Sequence, residues 1–478
     1  SRYFLSFLRQ DAARPRQNGR TVFRTKRPSM PPVFSTVIIS HGSAFCNLNS
    51  GKEVLFLLVT AIRDMLWGLP TVFLIFSFGI YFSIKGRFLQ LRAGHVLGET
   101  VFRRSSGSGG ISPFSALSTA LGGTVGIGSM VGVGLGIAYG GAGSVFWMWV
   151  CGIITSMIKY AEVYVAVDKR VSCGNEYAGG AMYCLADAGK RRTAVFFSVC
   201  CIVAALGVGN AVQSNTIGGA LERMGVSLPV SGVVLAALLS FVIFDGRSRI
   251  ASVNSFLMPL FTALYIAVTL YVIVSEIEGF FPMLGSIFRG AFGFEAVAGG
   301  FSASLMTRAL KVGVSKGIFS TEAGMGSSPI AHAAAADTTP HRQGLWGIIE
   351  TSADTFVIST LTAFAMLLSG TDDIASVFIK GFGAAGGWMT IVFLSVFAFA
   401  SIISWCFYAD GCIAFLFPGR TAAFSVVFRL LSVAVAFGGV FLSSASVWAA
   451  ADIFNALMIF PNLFMLFIYR KDIKYGAV

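Results

Sequence analysis

Leu121-Gly122-Gly123-Thr124-Val125-Gly126-Ile127-Gly128-Ser129 lies inside an apolar stretch running from about residue 114 to 140. Downstream, Gly128, Gly132, Gly136 and Gly140 recur every fourth residue, a ladder that suits close contact between membrane helices. Upstream, Gly122, Gly123, Gly126 and Gly128 fall too densely to form one packing face. Such density favours an unwound stretch whose backbone amides and carbonyls become free to bind something. A dinucleotide loop also clusters glycines, but it needs a preceding strand and a βαβ unit around it. The apolar flanks offer neither.

A second interruption runs Gly317-Ile318-Phe319-Ser320-Thr321-Glu322-Ala323-Gly324-Met325-Gly326-Ser327-Ser328-Pro329. Glycines, hydroxyls and a proline at membrane depth cannot face lipid, so they line a cavity or pack on protein. Around these breaks the apolar runs form about eleven spans, near 68–84, 114–140, 144–167, 193–221, 228–245, 250–276, 298–338, 344–368, 386–416, 421–443 and 446–469. Each broken span opens a group of five. A broken helix at the start of each of two equivalent halves points to an inverted-repeat transporter with its site at the midplane. The expected organisation is a basic leader (1–50), an accessory helix and loop (51–105), two five-helix repeats (106–280 and 281–469) and a tail (470–478).

Composition agrees. Of 478 residues, 55% are hydrophobic and 12% charged, with a mean hydropathy of +0.77. A soluble domain needs more charge to cover its surface, and runs of roughly 20 apolar residues cross a bilayer as helices. Continuous apolar runs exclude an outer-membrane barrel, whose strands alternate. The net charge of +13 reflects location, not a nucleic-acid partner. It sits in the leader and in loops such as Lys85–Arg104, Lys169–Arg192 and Arg470–Lys474, while Glu276, Glu278, Asp372 and Asp373 mark the opposite side. The positive-inside bias then puts the carboxyl terminus in the cytoplasm of a plasma (cell inner) membrane protein. The leader reads as disordered, has no signal-peptide pattern, and leaves Met30 and Met65 as candidate starts. The eight cysteines include no CxxC pair and read as small packing residues.

Six blocks carry a family resemblance: GGTVGIGSMVGV (122–133), FWMWVCGIITSMIKYAEVYVAV (146–167), GVGNAVQSN (207–215), FSTEAGMGSSPIAHAAA (319–335), RQGLWGIIE (342–350) and NALMIFPNLF (455–464). From about Trp67 onward the chain resembles the alanine or glycine:cation symporters, the sodium:alanine symporter family. The resemblance implies a LeuT-type five-plus-five inverted repeat, all-α and polytopic, preceded by one accessory helix. It also implies inward symport of alanine or glycine, usually with Na⁺ and without a cofactor.

Carried over by position, Thr124, Gly126, Ile127, Gly128 and Ser129 would meet the substrate carboxylate, helped by a half-helix amino terminus. Phe319, Ser320, Thr321 and Gly324 would present carbonyls and hydroxyls to the ammonium. Asn210 and Gln213 would place amides on the cavity, and Trp405 would wall it. Carbonyls of Gly122 and Val125 with the Ser401 hydroxyl would hold Na⁺. The chain departs from the usual family pattern at Ile127, Ser129, Ala400 and Ser401, and in SWCFYAD (404–410). Those departures leave open H⁺ in place of Na⁺, with Glu322 as the proton-linked residue.

Other ionisable groups within the apolar spans also draw attention. Lys159 and Glu162, three apart, read as a pair on one helix face. Glu350 and Asp354, four apart near a span end, could relay protons, but read rather as interface anchors or a structural pair. Arg308, Lys311 and Lys316 mark a partly solvated approach to the second break. A channel would need a filter or polar ring. An enzyme would need a nucleophile triad or metal-ligand spacing, which His41, His95, His332 and His341 do not form. A non-transporting amino-acid receptor would use the same pocket. The oligomeric state is not legible.

Overall fold

The computed structural model describes residues 59–476 apart from 64, 102–109, 175, 293–301 and 443. The basic leader lies outside the described residues. The described chain is helical apart from one hairpin, β1 (Val171–Cys173) paired antiparallel with β2 (Glu176–Ala178). The helices are α1 Leu69–Lys85, α2 Ala93–Glu99, α3 Pro113–Thr124, α4 Ile127–Gly140, α5 Gly143–Asp168, α6 Ala181–Asp187, α7 Arg191–Leu206, α8 Gln213–Glu222, α9 Leu228–Ile243 and α10 Arg247–Ser275. They continue as α11 Phe280–Phe292, α12 Ser302–Thr321, α13 Pro329–Ala333, α14 Pro340–Ser352, α15 Thr360–Ser369, α16 Ile374–Phe382, α17 Ala384–Leu416, α18 Thr421–Gly439 and α19 Ser444–Tyr469. Short π-helical segments, Gly207–Val212 and Ala353–Ser359, join α7 to α8 and α14 to α15.

Among the described residues, seven helices are long and apolar enough to cross a membrane, and α3 with α4 makes an eighth if that bent pair is one span. Helices α1 and α9 are apolar but shorter. Local chemistry sets the helix starts. Ser112 accepts from the Ser115 amide and Pro113 follows it, while Thr339 and Pro340 do the same for α14.

Helix α5 is the hub of one group, packed against α12, α14 and α1. Small residues permit that approach: a Cβ on Gly313 of α12 would lie 2.4 Å from the Ser144 carbonyl, and one on Gly344 of α14 would lie 2.8 Å from the Tyr160 ring. A second group forms around α17, which touches α3, α7, α8 and α10. The glycine ladder of α4 is uneven. Gly140 packs tightly on Ser144 and Val312, but a Cβ on Gly132 would meet nothing within 4 Å. The closest approach is at Gly134, off the ladder, where a Cβ would lie 2.1 Å from the Asp372 carbonyl.

Candidate functional site

At the first break, α3 and α4 meet at a bend of 41°. Val125 is extended (φ −79°, ψ 108°) and Gly126 precedes α4 (φ −171°, ψ −137°). The last backbone bond of α3 runs from the Val125 amide to the Leu121 carbonyl at 2.7 Å. Carbonyls from Gly122 onward therefore end the helix, while the first amides of α4 begin the next without intrahelical acceptors. The two ends present opposite partial charges to one spot.

That spot is a cavity lined by Gly123, Thr124, Gly126, Ile127 and Gly128 of the first break, Phe319 and Glu322 of the second, Val208 and Gln213, Ser401 and Trp405 of α17, and Asn455 of α19. It leaves a water-sized body about 30 Å³ in which to move its centre, roughly twice what one ordered water needs. A small solute suits that space; a large one requires rearrangement. Trp405 is 1% exposed and forms a wall. Its position depends on Gly209, since a Cβ there would lie 2.4 Å from the indole.

The second break is held from behind. Glu322 (φ +48°), Gly324 (φ +93°) and Gly326 (φ +75°) turn the chain through left-handed conformations between α12 and α13. A side chain such as Glu322 is uncommon there, and the surroundings must hold it. Ser327 donates to the Glu322 carboxylate at 2.7 Å. Lys159 donates to Ser328 (2.8 Å) and to the Glu322 carbonyl (3.4 Å), and its ammonium lies 3.4 Å from Glu350. Gln343 Nε2 lies 2.8 Å from His332 Nδ1, so His332 Nε2 is left to donate to Glu350 at 3.1 Å. Asn462 donates to the Gly324 carbonyl at 2.8 Å and to Glu162. Charges with no water nearby require such partners.

One carboxylate ties the breaks together. Asp354, fully buried in the second π-helical segment, accepts from Ser129 of the first break and from Ser320 of the second, the latter at 2.6 Å. The two hydroxyls lie 3.3 Å apart.

The chain matches the sodium:alanine symporter family over residues 52–475. It belongs to that family. Similar proteins include an uncharacterized transporter of Haemophilus influenzae, 34% identical over 431 residues (87% of this chain, 94% of that one). The sodium/alanine symporter AgcS of Methanococcus maripaludis is 34% identical over 427 residues (85% and 93%). The probable sodium/glutamine symporter GlnT of Bacillus subtilis is 34% identical over 435 residues (88% and 89%). Among solved structures, a Na⁺-coupled sialic acid symporter gives a TM-score of 0.52 at 12% identity, covering 78% of this chain and 82% of that one. MhsT with L-phenylalanine gives 0.53 at 13% identity, covering 74% and 89%. At such identities the likeness shows the fold, which is that of the LeuT-type transporters. The chain is a multi-pass membrane symporter and not an enzyme.

Within the symporter, the expected site residues divide. Thr124, Gly126, Ile127, Gly128, Gln213, Phe319, Glu322, Ser401 and Trp405 share the cavity. Ser129 and Ser320 turn to Asp354. The Thr321 hydroxyl bonds back to the Gly317 carbonyl at 3.0 Å, and Gly324 faces Ile75 and Leu463. Asn210 donates to the Ser432 carbonyl at 2.8 Å. Gly122 packs on α17, its Cβ position 3.2 Å from the Ala400 carbonyl, and Val125 is buried beside it. Two readings of buried charge are corrected. Lys159 forms its ion pair with Glu350, while Glu162 accepts from Asn462. Glu350 and Asp354 are not interface anchors, because both are wholly buried. Asn455 was missed; an asparagine on an apolar helix, inside the NALMIFPNLF block, is the signal that marks it.

Proposed function

We propose that this symporter carries a small neutral amino acid, alanine or glycine, into the cell with Na⁺ by alternating access between two repeats, 106–280 and 281–469. The observation that carries the reading is the cavity itself. Backbone amides at the start of α4, the Glu322 carboxylate and the buried amide side chains of Gln213 and Asn455 all line it. A zwitterion has one group for each kind of partner. Trp405 and the small volume limit its side chain. Na⁺ would take the carbonyls of Gly122 and Val125 and the Ser401 hydroxyl, hard oxygen ligands of the kind an unwound helix supplies. The family and AgcS support both assignments by analogy. The loop charges support a plasma-membrane protein with a cytoplasmic carboxyl terminus.

Uptake of labelled alanine into proteoliposomes tests this. Accumulation driven by an imposed Na⁺ gradient is the expected result. Accumulation driven by a proton gradient alone would keep the substrate and make Glu322, which lines the cavity, the coupling group. No flux from a protein that binds alanine would make it a receptor.

A further inference from the structure

We propose that Asn455 is a substrate-recognition residue, accepting one N–H of the substrate amino group beside Gln213 and Glu322, so that the symporter selects primary amines over N-alkylated ones. The proposal rests on the small-zwitterion reading above. Asn455 is 2% exposed and lines the cavity, and its side-chain amide oxygen has no hydrogen-bond partner. Gln213, 7% exposed, is in the same condition: its Nε2 donates to the Val208 carbonyl at 3.3 Å, and its oxygen is unpartnered. Glu322, whose Oε2 accepts from Ser327, also lines the cavity.

Buried acceptors without donors are costly, and a ligand that brings N–H groups removes the cost. Here two unpartnered acceptors, on α8 and α19, and the Glu322 carboxylate, on the turn after α12, line one small space. A primary ammonium carries three N–H donors and no acceptor. The placement fits that end of a zwitterion. Helix α19 packs on α7 and on the π-helical segment next to Gln213, whereas the carboxylate end belongs to the amides of α4. Each N-methyl group replaces one donor with an apolar group, stranding one acceptor.

The test is competition against labelled alanine on the purified full chain, with alanine, N-methylalanine and N,N-dimethylalanine as competitors. In the unsubstituted protein each methylation weakens binding about tenfold or more. Asn455→Ala weakens alanine about tenfold but leaves N-methylalanine bound as before, since the methyl enters the vacated space. The discrimination ratio therefore collapses toward one. Asn455→Asp retains an acceptor and the ratio. Should Asn455→Ala lose its monodispersity, Asn455→Leu keeps the volume, removes the acceptor and lowers the ratio in the same way. A ratio unchanged in Asn455→Ala or Asn455→Leu would overturn the proposal and leave Asn455 a packing residue. An unchanged ratio with a shifted Na⁺ half-saturation would overturn it in favour of a cation ligand. Failure of the unsubstituted chain to bind alanine or glycine would overturn the parent reading and this one with it.

Discussion

Between Thr124 and Ile127 the chain leaves the helix for two residues, whereas between Thr321 and Pro329 it does so for seven. The short break faces the cavity with backbone, and little presses on it. A Cβ on Gly126 would come no nearer than 4.0 Å to the Phe397 carbonyl. The long break presents one carboxylate forward and is fastened behind by Lys159, Ser327, Ser328, His332, Glu350 and Asn462. Asp354 joins the two. The comparison teaches that an open break and an anchored break can line one cavity by opposite means. One supplies unpaired backbone groups, and the other supplies a turn held in place by buried charges from α5 and α14.

Removing an anchor gives the largest effect. Lys159→Met leaves Glu350 without its cation, and thermal unfolding in detergent is expected to show a loss of about 3–5 kcal/mol. The double variant Lys159→Met/Glu350→Gln recovers most of it. If the single variant melts like the unsubstituted protein, the second break is not held by this pair. Cutting the tie between the breaks comes next. Asp354→Asn keeps the shape but weakens two charge-assisted bonds, so stability falls by about 1–2 kcal/mol. Alanine uptake is expected to fall more than tenfold, because Ser129 and Ser320 no longer share a fixed partner. Uptake at the original rate would mean that the two breaks work independently.

The smallest effect concerns the cavity wall. Gly209→Ala pushes the Trp405 indole and is expected to weaken alanine binding several-fold, with no further effect in a Trp405→Ala background. Trp405→Ala by itself admits larger amino acids as competitors. Unchanged competition would remove Trp405 from the wall.

The first break was legible because its signal is local, four glycines in seven residues from Gly122 to Gly128. The second was legible as a place but not as a mechanism. Its fasteners come from far along the chain: Lys159 meets Ser328 169 positions away, and Asn462 meets Gly324 138 positions away. No spacing rule joins such pairs. Glu350 was misjudged for a physical reason. Helix α14 starts at Pro340, which puts Glu350 about 15 Å along the axis at 1.5 Å per residue, well inside the span. Asn210 and Gln213 look equivalent in sequence, one turn apart. The π-helical segment Gly207–Val212 lies between α7 and α8, and the two amides part, one to Ser432 and one to the cavity.

The most direct test of a single site built from both breaks is Gly126→Leu. A Cβ there would meet nothing nearer than 4.0 Å, and Gly126 lines the cavity, so the variant is expected to keep its thermal stability and reach the membrane. With the cavity filled, it should neither bind labelled alanine in detergent nor accumulate it in proteoliposomes under a Na⁺ gradient. Binding and uptake at the level of the unsubstituted chain would contradict the account.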